Sequence, residues 1–179
     1  TFLATMLAQG NRMKRLIDDL LTLSHIELNE HIRPEPVVDL VEIARQASGN
    51  LSAVARQLDV KVTTHAEAPV LVRGDSDQLL QVAQNLLENA LKFTQAHGSV
   101  RVQCECQEDA VICSVKDTGS GIAEEHLPFI FGRFYRADLG RSCESGGVGL
   151  GLSIAQRIVK AHGGTIDVCS DVGSGTTVV

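Results

Sequence analysis

Apolar residues recur every three or four positions through the first 29 residues, where Met6, Met13, Leu16, Ile17, Leu20, Leu21, Leu23 and Ile26 form one stripe. This period predicts a single long amphipathic helix. A stripe of that length needs a partner helix to cover it. The period breaks at NEHIRPEPV, where Pro34 and Pro36 bar helix continuation. We place the linker there, over 30–38, between a helical appendage (1–29) and a main domain (39–179). Beyond it the pattern predicts a helix from Asp39 to about Leu58, an alternating strand VKVTTH, a short strand VLV, and a helix from Ser76 to Phe93. SVRVQCEC and AVICSVKD then alternate as strands, and a polar stretch runs to about Val148. GLGLSIAQRIVKAHG reads as a helix, with TIDVCS and GTTVV as closing strands. Strands mixed with three helices in this order predict an α/β sandwich, a mixed sheet with the helices on one face.

Length and charge narrow the picture. A chain of 179 residues with 44% hydrophobic content buries one substantial core plus an appendage. Net charge is −6 and the Lys and Arg residues are scattered, which argues against a nucleic-acid partner. No apolar run approaches the ~20 residues of a membrane span, and no signal-peptide series opens the chain. Because it begins with Thr1 and stops within GTTVV, we expect a portion of a longer protein. The five cysteines, at 104, 106, 113, 143 and 169, are odd in number and include no CxxC pair. Reduced thiols in a cytosolic compartment are the simpler reading. Cys104 and Cys106 share a strand face, which is more often packing than chemistry.

Some polar positions do not fit a purely structural role. NLLENALKF places Asn85, Asn89 and Lys92 at i, i+4 and i+7 on one helix face, although asparagine is a poor choice for a helix interior. In DTGSGI, Asp117 ends a strand. Its carboxylate can accept a hydrogen bond from an exocyclic amine, while Gly119 and Gly121 let backbone approach a flat ring. Taken alone, the same residues are also an ordinary Asp-Thr-Gly turn. SGGVGLGLSI runs into an apolar helix, and free N–H groups at a helix start favour phosphate. In isolation a flexible connector explains it equally well. No GK[ST] follows these glycines, so a Walker A loop is excluded.

Taken in order, NLLENALKF, DTGSGI, FIFGRFYRAD, GGVGLGLS and GTT resemble the N, G1, F, G2 and G3 boxes of sensor histidine kinases, whose catalytic domain belongs to the GHKL ATP-binding superfamily shared with gyrase B and MutL. NRMKRLIDDLLTLSHIE resembles the second helix of their dimerisation and phosphotransfer bundle, and NEHIRPEPVVDL the linker of phosphate-regulon sensor kinases. The resemblance implies ATP and Mg²⁺ as ligands, with Asn89, supported by Asn85, on the metal. Lys92 would lean over the phosphates, Phe93 would lie near adenine or ribose, and Asp117 would accept the adenine amino group above Gly119 and Gly121. Arg133 and Arg136 would meet phosphate, and Gly147, Gly149 and Gly151 would hinge a lid. Ile122, Phe131, Tyr135, Val148, Leu150, Leu152 and Thr176 complete the implied nucleotide set.

Two residues depart from the pattern. Gly132 stands where many relatives carry Glu, and Phe93 where they often carry Tyr. Hydrolysing relatives have a glutamate where this chain has Asn85, and asparagine is no base, so water attack is expected to be slow. The resemblance further implies a homodimer through the helical bundle and a response-regulator receiver domain as partner. It also implies the cytoplasmic portion of a protein anchored in the bacterial inner membrane. No phosphoacceptor H box occurs. His25 ends the first helix, and no acid follows His31. A degenerate ATP-binding module that gates a partner without chemistry is the alternative. Serine kinases of the anti-sigma type lack the long helix and linker seen here.

Overall fold

The computed structural model describes residues 2–28, 34, 36–108, 110–137 and 148–179. The expected appendage is one helix, α1 (Phe2–Leu28). Most of the expected linker, His31 included, lies outside the described residues. Val37 and Val38, assigned to that linker from sequence, enter a short strand β1 (Val37–Asp39) that pairs antiparallel with β3 (Leu71–Arg73). Asp39 locks this corner, because its Oδ1 accepts from the N–H groups of Val41 at 2.9 Å and Val70 at 3.0 Å.

The helix expected over 39–58 is two helices, α2 (Leu40–Asn50) and α3 (Ser52–Gln57). Gly49 and Asn50 are poor helix formers, and the preceding Ser48 donates its Oγ to the Ala44 carbonyl one turn earlier at 2.8 Å, a contact that bends helices. Helix α4 (Ser76–Phe93) matches its expected limits. Asp75 caps it by accepting from Asp77 and Gln78 N–H, both at 3.0 Å, worth about 1 kcal/mol. Its inner face buries Val82, Leu87, Ala90 and Leu91, which leaves Asn85, Asn89 and Lys92 on another face.

Five strands form one mixed sheet in the order β2-β4-β5-β7-β6. They are β2 (Lys61–His65), β4 (Ser99–Cys106), β5 (Val111–Asp117), β6 (Val168–Asp171) and β7 (Gly175–Val178). Only β2 and β4 run parallel. On one face lie α2, α4 and α5 (Gly151–Ala161), so the sandwich has the predicted layers. One core cluster joins Val41, Ala44 and Ala47 of α2 and Leu87 and Leu91 of α4 to Val100, Val102 and Val115 of the sheet. A second joins Ile154, Ala155 and Ile158 of α5 to Leu23 and Ile26 of α1. Burying those two α1 side chains is worth about 1.5–3 kcal/mol each, and this holds α1 against the domain. Leu16 packs part-buried against the same cluster, while Met6, Met13, Ile17, Leu20 and Leu21 of the α1 stripe are exposed. A short 3₁₀ helix (Glu124–Phe129) occupies part of the stretch expected to be irregular.

Candidate functional site

Most of the singled-out residues gather where the end of α4, the turn after β5 and the start of α5 meet. The turn is built on Asp117, whose Oδ1 accepts from Gly119 N–H at 2.8 Å and from Thr176 N–H at 3.1 Å. The residue is buried, and desolvation raises its carboxyl above the usual range against the downward pull of those two backbone bonds. Its second oxygen is left for another donor. Glycine is required around it. A Cβ on Gly119 would meet the Phe93 carbonyl and Asp117 Oδ1, and Gly121 has φ +69° with a Cβ position that collides with the Asp171 backbone. Ser120 N–H donates to the Phe93 carbonyl at 3.2 Å, which ties the turn to the end of α4. Ile122 N–H donates to Ser170 Oγ at 2.8 Å.

On α4, Asn85 Nδ2 donates to the Gly151 carbonyl at 3.1 Å. That bond joins two expected residues across 66 positions and leaves the amide oxygen as an available acceptor. Asn89 is part-exposed one turn later. The Lys92 ammonium lies 5.0 Å from the Phe93 ring centroid, a cation–π distance. Desolvation first, and then the Arg136 charge, lower the Lys92 pKa. An anion placed there would relieve both effects. Phe93 itself is half-exposed.

Arg133 forms an ion pair with Glu27 of α1, and Arg157 of α5 approaches the same carboxylate at 3.6 Å. Gly149 has φ +81°, its carbonyl accepts from Phe134 N–H at 2.9 Å, and a Cβ there would lie 2.7 Å from the Tyr135 carbonyl. The F-box segment and the approach to α5 are therefore packed backbone to backbone.

Not every expected contact residue faces this hollow. Leu150 is 1% exposed and belongs to the α1–α5 cluster, with Phe131 and Val148 packed against it. Tyr135 turns its hydroxyl to His126 Nδ1 at 2.8 Å. Leu152 is part-buried in the first turn of α5. Gly147 lies outside the described residues.

Sequence reasoning missed two residues here. Glu27 carried no signal because its role depends on how α1 docks. Ser170, in an ordinary strand pattern, accepts from Ile122 N–H, donates to the Gly175 carbonyl at 3.0 Å and meets Thr176 Oγ1 at 2.9 Å. Gly175, the glycine of the GTT singled out in the sequence, has φ +101° and leaves no room for a Cβ against the Asp117 backbone.

Known proteins resemble this chain in sequence and in fold. The sensor protein SrrB of Staphylococcus aureus is 33% identical over 183 residues, covering 99% of this chain but 30% of that protein, so the chain spans about a third of the curated relatives it matches. A mycobacterial sensor histidine kinase, MprB, superposes with a TM-score of 0.68 at 28% identity, over 80% of this chain and 93% of that one. Full-length ShkA, solved in complex with AMPPNP, superposes with a TM-score of 0.84 at 26% identity, over 99% of this chain and 37% of that one. Residues 74–179, more than half the chain and all of the site except Glu27, match one family throughout, and the chain belongs to the histidine kinase-, DNA gyrase B- and HSP90-like ATPases.

Proposed function

We propose that this chain binds ATP with Mg²⁺ in the hollow between α4, the Asp117 turn and the start of α5. In the protein that contains it, the γ-phosphoryl group passes to a histidine and then to an aspartate on a response-regulator receiver domain. The observation that carries the reading is Asp117, a buried carboxylate with one oxygen consumed by two backbone donors and the other left to accept an amine. The adenine amino group fits that oxygen, whereas guanine would bring a carbonyl acceptor against it.

The residues on α4 fit a hard cation. Asn85 has its amide nitrogen committed to Gly151, so its oxygen is the free end, and neutral amide oxygens with phosphates suit Mg²⁺. Among the described residues no group of three His, Cys, Asp or Glu could hold a metal. When bound, Mg²⁺ supplies neutralisation of charge on the phosphate oxygens. Lys92 and Arg136 supply further positive charge from the chain, and Arg133 joins them when it leaves Glu27. Asn85 cannot deprotonate water, which spares the γ-phosphate for a positioned acceptor. The exposed apolar stripe of α1 suits pairing in a homodimeric bundle. No helix among the described residues is long and apolar enough to cross a membrane, and membrane anchoring belongs to the proposal for the whole protein.

Transfer tests this reading. Incubated with γ-labelled ATP and Mg²⁺, the chain should carry no acid-labile phosphate, and His25→Gln or His31→Gln should change nothing. Adding a domain with both bundle helices and an H box should place acid-labile label on that domain. ATP binding without any such label would favour the gating module instead, and phosphohistidine on His31 would overturn the placement of the acceptor.

A further inference from the structure

The nucleotide reading gives none of the cysteines a role, yet two of them meet. Cys104 of β4 and Cys113 of β5 are direct partners in the antiparallel register. They lie on the sheet face that carries Val102 and Val115, the neighbouring register pair. Residues opposed in this way have Cα atoms about 4.5 or 5.5 Å apart, and both spacings fall inside the roughly 4.4–6.8 Å that a disulfide spans. The side chains are also turned toward each other, with the two Sγ atoms 2.7 Å apart. Packing alone does not call for this, since valine fills three of the four same-face register positions beside the pair, Val102, Val115 and Val111. Cys104 is 2% exposed. Cys113 fronts an apolar cavity of about 230 Å³ between helices and sheet, lined also by Leu86, Val111 and Val159. That volume is large enough for water and for molecules little larger than water.

We propose that Cys104 and Cys113 are a modification site, a dithiol that hydrogen peroxide entering this cavity oxidises to a reversible disulfide between β4 and β5. The thiolate of the pair attacks the peroxide, the O–O bond breaks, hydroxide leaves, and a sulfenic acid remains on that sulfur. The second sulfur then displaces the sulfenic oxygen, which leaves as water as the S–S bond forms. In sum, two thiols lose two protons and two electrons, and one peroxide takes them up to become two waters. The thiol–thiol hydrogen bond lowers the Cys104 pKa while raising that of Cys113, so the thiolate forms at Cys104, directly behind Cys113 at the cavity wall with the two sulfurs 2.7 Å apart. The site lies beneath α4: Leu87 and Leu91, on the turns that carry Asn85, Asn89 and Lys92, pack in the same cluster as Cys104. It needs only the β4–β5 pairing and stands whether or not the chain binds ATP.

The experiment uses the full chain with Cys106, Cys143 and Cys169 replaced by serine, reduced and then exposed to hydrogen peroxide while folded. The expected result is the loss of two titratable thiols, an intact mass lower by two hydrogens, and a Cys104–Cys113 cross-linked peptide, all reversed by dithiothreitol. The cross-link should form more slowly in urea, where the register no longer holds the sulfurs together. The unsubstituted chain, mapped by tandem mass spectrometry after the same treatment, should give the same cross-link and guards against a misfolded variant. Two thiols still titratable, oxygen added to Cys113 without a cross-link, or equal rates folded and in urea would overturn the proposal.

Discussion

At one end of the site Asp117, Gly119 and Thr176 are joined by backbone hydrogen bonds of 2.8 and 3.1 Å around a buried carboxylate; at the other, Asn85, Asn89, Lys92, Arg133 and Arg136 are flexible side chains on two different segments. The first end is rigid before any ligand arrives, so discrimination of a base needs no rearrangement. The second is provisional. Arg133 is held by Glu27, and Lys92 sits beside Arg136 with its charge partly desolvated. A phosphate there exchanges partners with the protein instead of filling a finished cradle. On this account, selectivity is built into the backbone while affinity for charge is conditional.

Breaking the rigid end should have the largest effect. Asp117→Ala leaves Gly119 and Thr176 N–H without their acceptor, and each unpaired buried group costs about 1–3 kcal/mol. Thermal unfolding should show a clear drop in melting temperature together with lost nucleotide binding. At the provisional end Asn89→Ala should leave the fold intact and remove most of the metal-dependent part of ATP affinity. Calorimetry with and without EDTA checks this, and equal affinity of the parent in both buffers would contradict the metal assignment.

The two ends also titrate in opposite directions. Burial raises the Asp117 pKa in the folded chain, so its carboxylate protonates sooner than a free one as pH falls, and ATP affinity should weaken on the acid side. The stability effect has the reverse sign: the folded chain binds this proton more tightly than the unfolded chain, so the ionised group costs stability at neutral pH and the cost fades as pH drops through the raised pKa. Desolvation lowers the Lys92 pKa, and affinity should begin to fall at a lower alkaline pH than an ordinary lysine would give. Binding measured across pH should show both limbs, with Lys92→Met flattening the alkaline one. The smallest effect is expected for Glu27→Gln. Exposed ion pairs are worth about 0–1 kcal/mol, so freeing Arg133 should raise ATP affinity by no more than about fivefold and weaken the docking of α1.

The same division explains what could be seen in the sequence. Helix α4 was legible to its limits because its apolar period runs unbroken from Ser76 to Phe93, and β4 and β5 because alternation survives on a sheet with one covered face. Asp117 and its glycines were legible only through the order of the boxes around them, because alone a carboxylate at a strand end followed by two glycines is also an ordinary turn. The break after Asn50 was hidden because apolar period continues through it, and β1 because a three-residue strand beside two prolines resembles a linker. Leu150 was expected at the nucleotide from its place in the glycine box. It packs into the core because the turn into α5 points it at Ile154 and Ile158, and neighbours along the chain do not reveal that direction. Glu27 depended on tertiary docking and had no local signal.

Asp117→Asn separates the base-reading role from the structural one. The asparagine Oδ1 can keep both backbone bonds, while the second oxygen becomes an amide donor that faces the adenine amino group. Titration calorimetry with ATP and GTP, beside a melting curve, should show ATP affinity falling by about tenfold to a hundredfold, the value of a hydrogen bond to a charged group at ~1.5–3 kcal/mol. GTP binding should stay poor, and the melting temperature should be unchanged or higher. Unchanged ATP affinity, or an equal loss for both nucleotides, would show that Asp117 only shapes the turn.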